Sequence, residues 1–128
     1  MRQVIISGYL AEDDVWRGLE AVDVCAFAFE KGLDEINSPS LRQALFKGIP
    51  TVAYAGDLNY NEFGLRNGEN IRLIPRQNKE ALQLALQELL SNEVLRKKLS
   101  RGAQLLRSTL SFDGVANSFS RLYAQLIR

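Results

Sequence analysis

The residues with the most chemical potential lie between Phe29 and Leu41, in the run FEKGLDEINSPSL. Glu30, Asp34 and Glu35 set carboxylates in a polar stretch around Gly32, and Ser38, Pro39 and Ser40 then open a helix. Serine is a favoured N-cap and proline a favoured first helical residue. The first turn of any helix carries backbone N–H groups without intrahelical partners; Pro39 has none, so the free donors fall at Ser40, Leu41 and Arg42. Those amides, the helix dipole and the Ser38 and Ser40 hydroxyls make a seat for a phosphate. Ser-Pro-Ser also opens helices that bind nothing, and the carboxylates, with Glu62 further on, also read as solvated surface charges.

Composition removes many alternatives. The 128 residues include no histidine and one cysteine, so a histidine general base, a histidine-ligated metal, a Ser/His/Asp or Cys/His triad and an internal disulfide are all excluded. No metal site or cofactor is implied. Cys25 sits in an apolar run and reads as an inert core thiol, and Trp16 by default as a core residue. The formal net charge of +1 gives no support to nucleic-acid binding. From Glu93 onward, however, Arg96, Lys97, Lys98, Arg101, Arg107, Arg121 and Arg128 face only Glu93 and Asp113, a basic tail behind an acidic front. No apolar run approaches a membrane span and no signal core follows Met1, so a cytoplasmic location is expected.

The elements that must position the loop alternate between strand and helix. Gln3–Ser7 is a short β-branched run ending at Gly8, and Val15, Leu19 and Val22 follow at helical spacing across Ala11–Ala21. Val22–Phe29, VDVCAFAF, is nearly all apolar and suits a strand covered on both faces. The helix opened by Ser38 runs to Gly48; Pro50–Ala55 and Asn70–Pro75 are further strands, separated by a polar, turn-rich stretch. Three apolar stripes at offsets of three and four then predict helices, through Leu82, Leu86 and Leu90, through Leu95, Leu99 and Leu106, and through Val115, Phe119, Leu122 and Leu126. Asn78, Asn92 and Ser111 stand at their expected caps. The fold class is α/β, a Rossmann-like parallel sheet of about four strands flanked by helices. The organisation is a single domain over 1–128, alternating over 1–75 and helical over 76–128. A loop leaving the carboxyl end of such a strand is where open α/β sheets bind ligands.

The order of these pieces, AFAFEKGLDEINSPSLRQALFKGIPTVAY followed by Glu62 and NGENIRLIP, resembles the C-terminal, donor-nucleotide domain of GT-B-type retaining glycosyltransferases, the family-four group that uses nucleotide-diphosphate sugars. VIISGYLAEDDVWRGLEAVDV at the start and FDGVANSFSRLY near the end are similar to its flanking segments. The resemblance implies that Gly32, Ser38, Ser40 and Leu41 hold the donor diphosphate, that Glu35 and Glu62 meet the sugar, and that the helix position of Gln43 meets the ribose. In the common motif two glutamates lie eight positions apart; here they fall on Glu35 and Gln43, so the ribose ligand is uncharged. GLDEINSPSL is closer to a variant with an acidic-glycine element and a serine before the helix.

The same resemblance implies that the first two strand and helix units and the acceptor domain are not in this chain, nor are the basic residues those units direct at the leaving diphosphate. The expectation is a donor-binding part of a hexosyltransferase, inactive alone and without a catalytic residue of its own. The alternatives are a non-catalytic, self-associating interaction protein built from such a domain and, less favoured, a phosphate sensor. With strands absent between Gln3–Ser7 and Val24–Phe29, either these two segments pair directly or two chains complete one another's sheet; the apolar edges favour a homodimer, through the sheet edge or the last helix.

Overall fold

A computed structural model describes residues 3–30, 38–56 and 64–127. Three strands, β1 (Cys25–Phe27), β2 (Thr51–Tyr54) and β3 (Arg72–Ile74), form one parallel sheet in the order β1-β2-β3. The helices are α1 (Glu12–Ala21), α2 (Pro39–Phe46), α3 (Lys79–Ser91), α4 (Glu93–Leu105), α5 (Arg107–Leu110) and α6 (Phe112–Leu126). The expected α/β class and parallel sheet are present, with three strands among the described residues. Gln3–Ser7 forms no strand, and Val4, Ile5 and Ile6 are 88, 76 and 91% exposed. Its β-branched composition favours a strand, but a strand needs a neighbour, and β1 pairs with β2 alone among the described residues.

β2 is central and buried throughout, as its apolar sequence requires. Its side chains alternate between the two faces. Ala53 joins Leu41 and Leu45 of α2 with Leu65, Ile71, Ala103 and Leu106. Val52 and Tyr54 join Ala85 and Leu89 of α3 with Ile74 and Leu99. The helix α4 contributes to both clusters, Leu99 to one and Ala103 to the other, and so ties the two layers together. Among the described residues, every buried apolar side chain lies between Leu41 and Leu106. Neither α1 nor α6 buries a residue; along α6, Phe112, Phe119 and Leu126 are 95, 54 and 69% exposed, the unpartnered stripe expected from its spacing.

Helix ends follow the sequence signals. Asn78, Asn92 and Ser111 accept from the amides of Ala81, Leu95 and Gly114 at 2.8, 3.0 and 3.0 Å. Gly48, just past α2, takes φ 73°, the left-handed conformation glycine supplies at a helix end. The stripe from Leu95 to Leu110 is interrupted at Leu106, where the chain turns from α4 into α5. Gly102 lets α4 press on the loop before β3: a Cβ there would overlap the Glu69 carbonyl oxygen and stand 3.0 Å from the Asn70 Cα.

The two sheet edges differ. In a parallel ladder alternate residues of an edge strand turn their N–H and C=O away from the neighbour. On β3 the outward residue is Leu73; its N–H donates to Asn67 Oδ1 at 2.9 Å and its C=O accepts from the Arg72 guanidinium at 3.4 Å. This edge is sealed. On β1, Cys25 N–H donates to Pro50 O at 2.9 Å, so the outward residue is Ala26, exposed, with no partner on that side among the described residues. This edge is open.

A group of contacts joins α1 to the residue that follows α2. Trp16, half-buried rather than in the core, lies 5.1 Å from Lys47 Nζ, which also donates to Glu20 Oε1 at 2.7 Å. That hydrogen bond, then the lysine charge, lowers the Glu20 carboxyl below its ordinary value. A lowered carboxyl stabilises the folded chain above its unfolded pKa, and that contribution disappears as pH falls through the folded one. We expect the Glu20 side-chain NMR titration to have its midpoint below the ordinary carboxylate value and to move upward in Lys47→Met, with no change in the titration of Glu93.

Candidate functional site

The candidate site lies at the carboxyl ends of the strands, where β1 leads toward α2. Phe27 and Phe29 pack with ring centroids 5.7 Å apart as the chain leaves β1. The loop after β3 reaches the same place: Gln77, held at φ 59°, donates from Nε2 to the Glu30 carbonyl at 3.4 Å. The turns after the first and last strands therefore meet at one end of the sheet. The first turn of helix α2 is anchored in the core by Leu41, 1% exposed.

The N-terminus of α2 is capped from within. Ser38 Oγ accepts the Leu41 amide at 3.5 Å, and Arg42 N–H donates to the Ser38 carbonyl at 3.4 Å. Both are at the long limit of a hydrogen bond. Ser40 is exposed, and its amide has no partner among the described residues. Of the three donors expected from sequence, Ser40 is open, Leu41 is weakly engaged by its own cap, and Arg42 enters the helix ladder. An anion approaching Ser40 could displace the weak Ser38 contact and take the Leu41 amide as well. Gln43 is half-buried one turn on; its carbonyl accepts from Lys47, and its side-chain amide bonds to no described residue.

Gly32, Asp34, Glu35 and Glu62 lie outside the described residues. The site is therefore drawn from Ser38, Ser40, Leu41 and Gln43, with Glu30 and Gln77 at its border. Among the described residues no group of acidic, cysteine and histidine side chains could hold a metal ion. Burial pushes the half-buried Cys25 thiol above its ordinary value, which keeps it protonated and inert, as expected for an apolar strand.

The formed clefts are elsewhere. One of 390 Å³ runs between β3 and α3, with Leu73, Leu84 and Ala85 on its walls and the Arg72–Glu88 ion pair at its rim. Another of 230 Å³ lies among Asp23, Pro50, Arg96 and Ser100, before the strands begin. Neither includes Ser38 or Ser40. Sequence reasoning assigned no role to Asn67 and Asn70 beyond the NGEN turn. The structure shows them as latches: Asn70 Oδ1 accepts the Arg66 amide at 2.8 Å and its Nδ2 donates to the Gly64 carbonyl at 2.7 Å, while Asn67 seals β3. The signal for this was the Asn-Gly turn dipeptide itself.

Three parallel strands with helices on both faces, and a helix N-terminus at their carboxyl ends, are the pattern of a Rossmann-like α/β domain. Among solved structures the chain is similar to the C-terminal domain of a glycosyl transferase group 1 family protein, LpcC, from Francisella tularensis. The TM-score is 0.65 at 21% identity, over 81% of this chain and 51% of that one. The likeness bears out the GT-B C-terminal fold expected from the sequence, and the chain spans about half the length of that domain. No family model and no curated protein matches.

Proposed function

We propose that this chain forms the donor-binding side of a cytoplasmic glycosyltransferase, with the diphosphate of a nucleotide sugar seated on the first turn of α2. The observation that supports the reading is the open Ser40 amide at the carboxyl end of a glycosyltransferase-like sheet. In this reading Ser40 and Leu41 amides take the phosphate oxygens, the Ser38 hydroxyl turns from cap to phosphate donor, and the Gln43 amide meets a ribose hydroxyl. Gly32 gives the loop close approach, and Glu35 and Glu62 face the sugar. Such transfer asks the protein for position and charge stabilisation, which a chain without histidine can supply. In this reading the acceptor and the cations for the leaving group are supplied from outside the described elements.

Titration calorimetry with uridine and guanosine diphosphates tests this reading. Saturable binding is expected for the native chain. Ser40→Glu puts a carboxylate on the seat, which suits a helix N-terminus and repels the ligand, so affinity should fall at least about tenfold while thermal stability holds or rises. Ser40→Pro, which deletes the amide, should also lose binding. Absence of binding at millimolar nucleotide would instead favour a non-catalytic, self-associating protein. The observation behind that second reading is the exposure of the apolar residues of the N-terminal segment and α6. Binding of simple phosphate esters without a base would point to a phosphate sensor.

A further inference from the structure

The turn before β3 holds a second piece of chemistry, independent of donor binding. Asn67–Gly68 is the one Asn-Gly pair in the sequence. In such a pair the following backbone nitrogen can attack the side-chain carbonyl carbon, and glycine, without a Cβ, leaves that approach open. Here both reacting groups are held. Gly68, at φ 80°, donates its N–H to the Ile71 carbonyl at 2.8 Å. Asn67 Oδ1 accepts the Leu73 N–H at 2.9 Å and an Arg72 guanidinium N–H at 3.5 Å. These contacts pull in opposite directions. The two donors on Oδ1 draw electrons from Cγ and would steady the oxyanion formed by attack. The attacking nitrogen, however, must first lose a proton that the turn keeps engaged with Ile71. An activated carbonyl without a free nucleophile does not react, so the hold on Gly68 decides.

We propose that Asn67 is a deamidation site which the folded turn keeps latent and which reacts when the Gly68 N–H leaves Ile71. Base removes the Gly68 amide proton, and the nitrogen attacks Asn67 Cγ. The new N–Cγ bond closes a five-membered imide as the Cγ–Nδ2 bond breaks, and the amide nitrogen departs as ammonia with a proton from water. A water molecule then opens the ring. Cleavage of the new bond gives aspartate; cleavage of the original peptide bond gives isoaspartate, whose main chain runs through the former side-chain methylene. Asn67 is exposed, so water reaches it. The two products differ in what they do to the turn. Aspartate keeps an acceptor for the Leu73 N–H and sets a carboxylate beside Arg72, in competition with Glu88, which Arg72 meets at 3.1 Å. Isoaspartate adds one main-chain carbon before Gly68, which moves Gly68 away from Ile71 and the remaining carboxylate away from Leu73. The change is one-way, so each copy keeps a record that its turn has opened.

Peptide-mapping mass spectrometry of the full chain, aged at mildly alkaline pH with and without denaturing urea, tests the proposal. The peptide carrying Asn67 should gain the mass difference between asparagine and aspartate, at least about tenfold faster in the unfolded chain than in the folded one. Urea below the unfolding midpoint should raise the folded-state rate in proportion to hydrogen exchange of the Gly68 amide, since both require the same opening. Asn67→Ala should abolish the gain in that peptide. Equal rates in the folded and unfolded chains would overturn the proposal, because the turn would then hold nothing back. A faster rate in the folded chain would overturn it as well, by showing that the Leu73 and Arg72 donors outweigh the hold on Gly68. So would a folded-state rate that stays flat while Gly68 exchange rises, or an unfolded chain in which Asn67 persists unchanged.

Discussion

Gly102→Ala is expected to destabilise the chain by about 2–3 kcal/mol, although alanine is the better helix former by about 1 kcal/mol. The reason is local. Gly102 faces the backbone of Glu69 and Asn70, and an added Cβ would overlap the Glu69 carbonyl. That carbonyl cannot rotate away cheaply, because Asn70 is buried and tied by its side chain to Arg66 and Gly64. Either α4 shifts off the loop, opening space beside Ala103 and Leu106, or the Asn70 latch breaks. Gly18→Ala is the control: nothing lies within 4 Å of a Cβ at that helical position, so the same change there should be neutral or stabilising by up to about 1 kcal/mol. Urea unfolding of the two variants should show midpoints moving in opposite directions with similar slopes; equal shifts would contradict the close approach of α4.

Leu41→Ala should cost about 3–4 kcal/mol, the range for deleting a fully buried leucine. The residue is 1% exposed and packs in the cluster formed by α2, β2 and α4. For a domain of marginal stability, about 5–15 kcal/mol in all, that is a large share. The effect reaches the site as well, since the same residue fixes the first turn of α2 and contributes one of its amides. Diphosphate affinity should therefore fall with stability, whereas Leu126→Ala on exposed α6 should change stability by less than about 0.5 kcal/mol and leave affinity alone. A loss at Leu126 as large as that at Leu41 would show that α6 packs on the core.

The contrast between those two leucines shows what the sequence could convey. The stripe Val115, Phe119, Leu122, Leu126 predicts a helix, and α6 is one, because period alone determines which residues share a face. Period does not say whether anything covers that face. The same holds for Val4–Ile6: β-branched residues mark a chain suited to a sheet, but pairing requires a neighbour that local composition cannot reveal. Ser38, Asn78, Asn92 and Ser111 were legible as caps because a cap is a local interaction over three residues. The open Ser40 amide followed from that local rule, while the weak engagement of Leu41 by Ser38 depended on the geometry of the turn. The approach of Gly102 to Glu69 and the Lys47–Trp16 contact join residues far apart in sequence and leave no periodic trace, whereas the Asn70 latch spans only four and six positions and belongs to the turn that the Asn-Gly dipeptide marks. Trp16 shows the cost of a default: a large aromatic is expected in the core, yet here its ring stays half-exposed under a lysine.

The blocking of β3 by Asn67 and Arg72 has a consequence for contact with other chains. A sheet margin whose outward amide and carbonyl are already engaged gives an incoming strand no template. Replacing Asn67 by alanine would release the Leu73 N–H and turn a closed margin into an adhesive one.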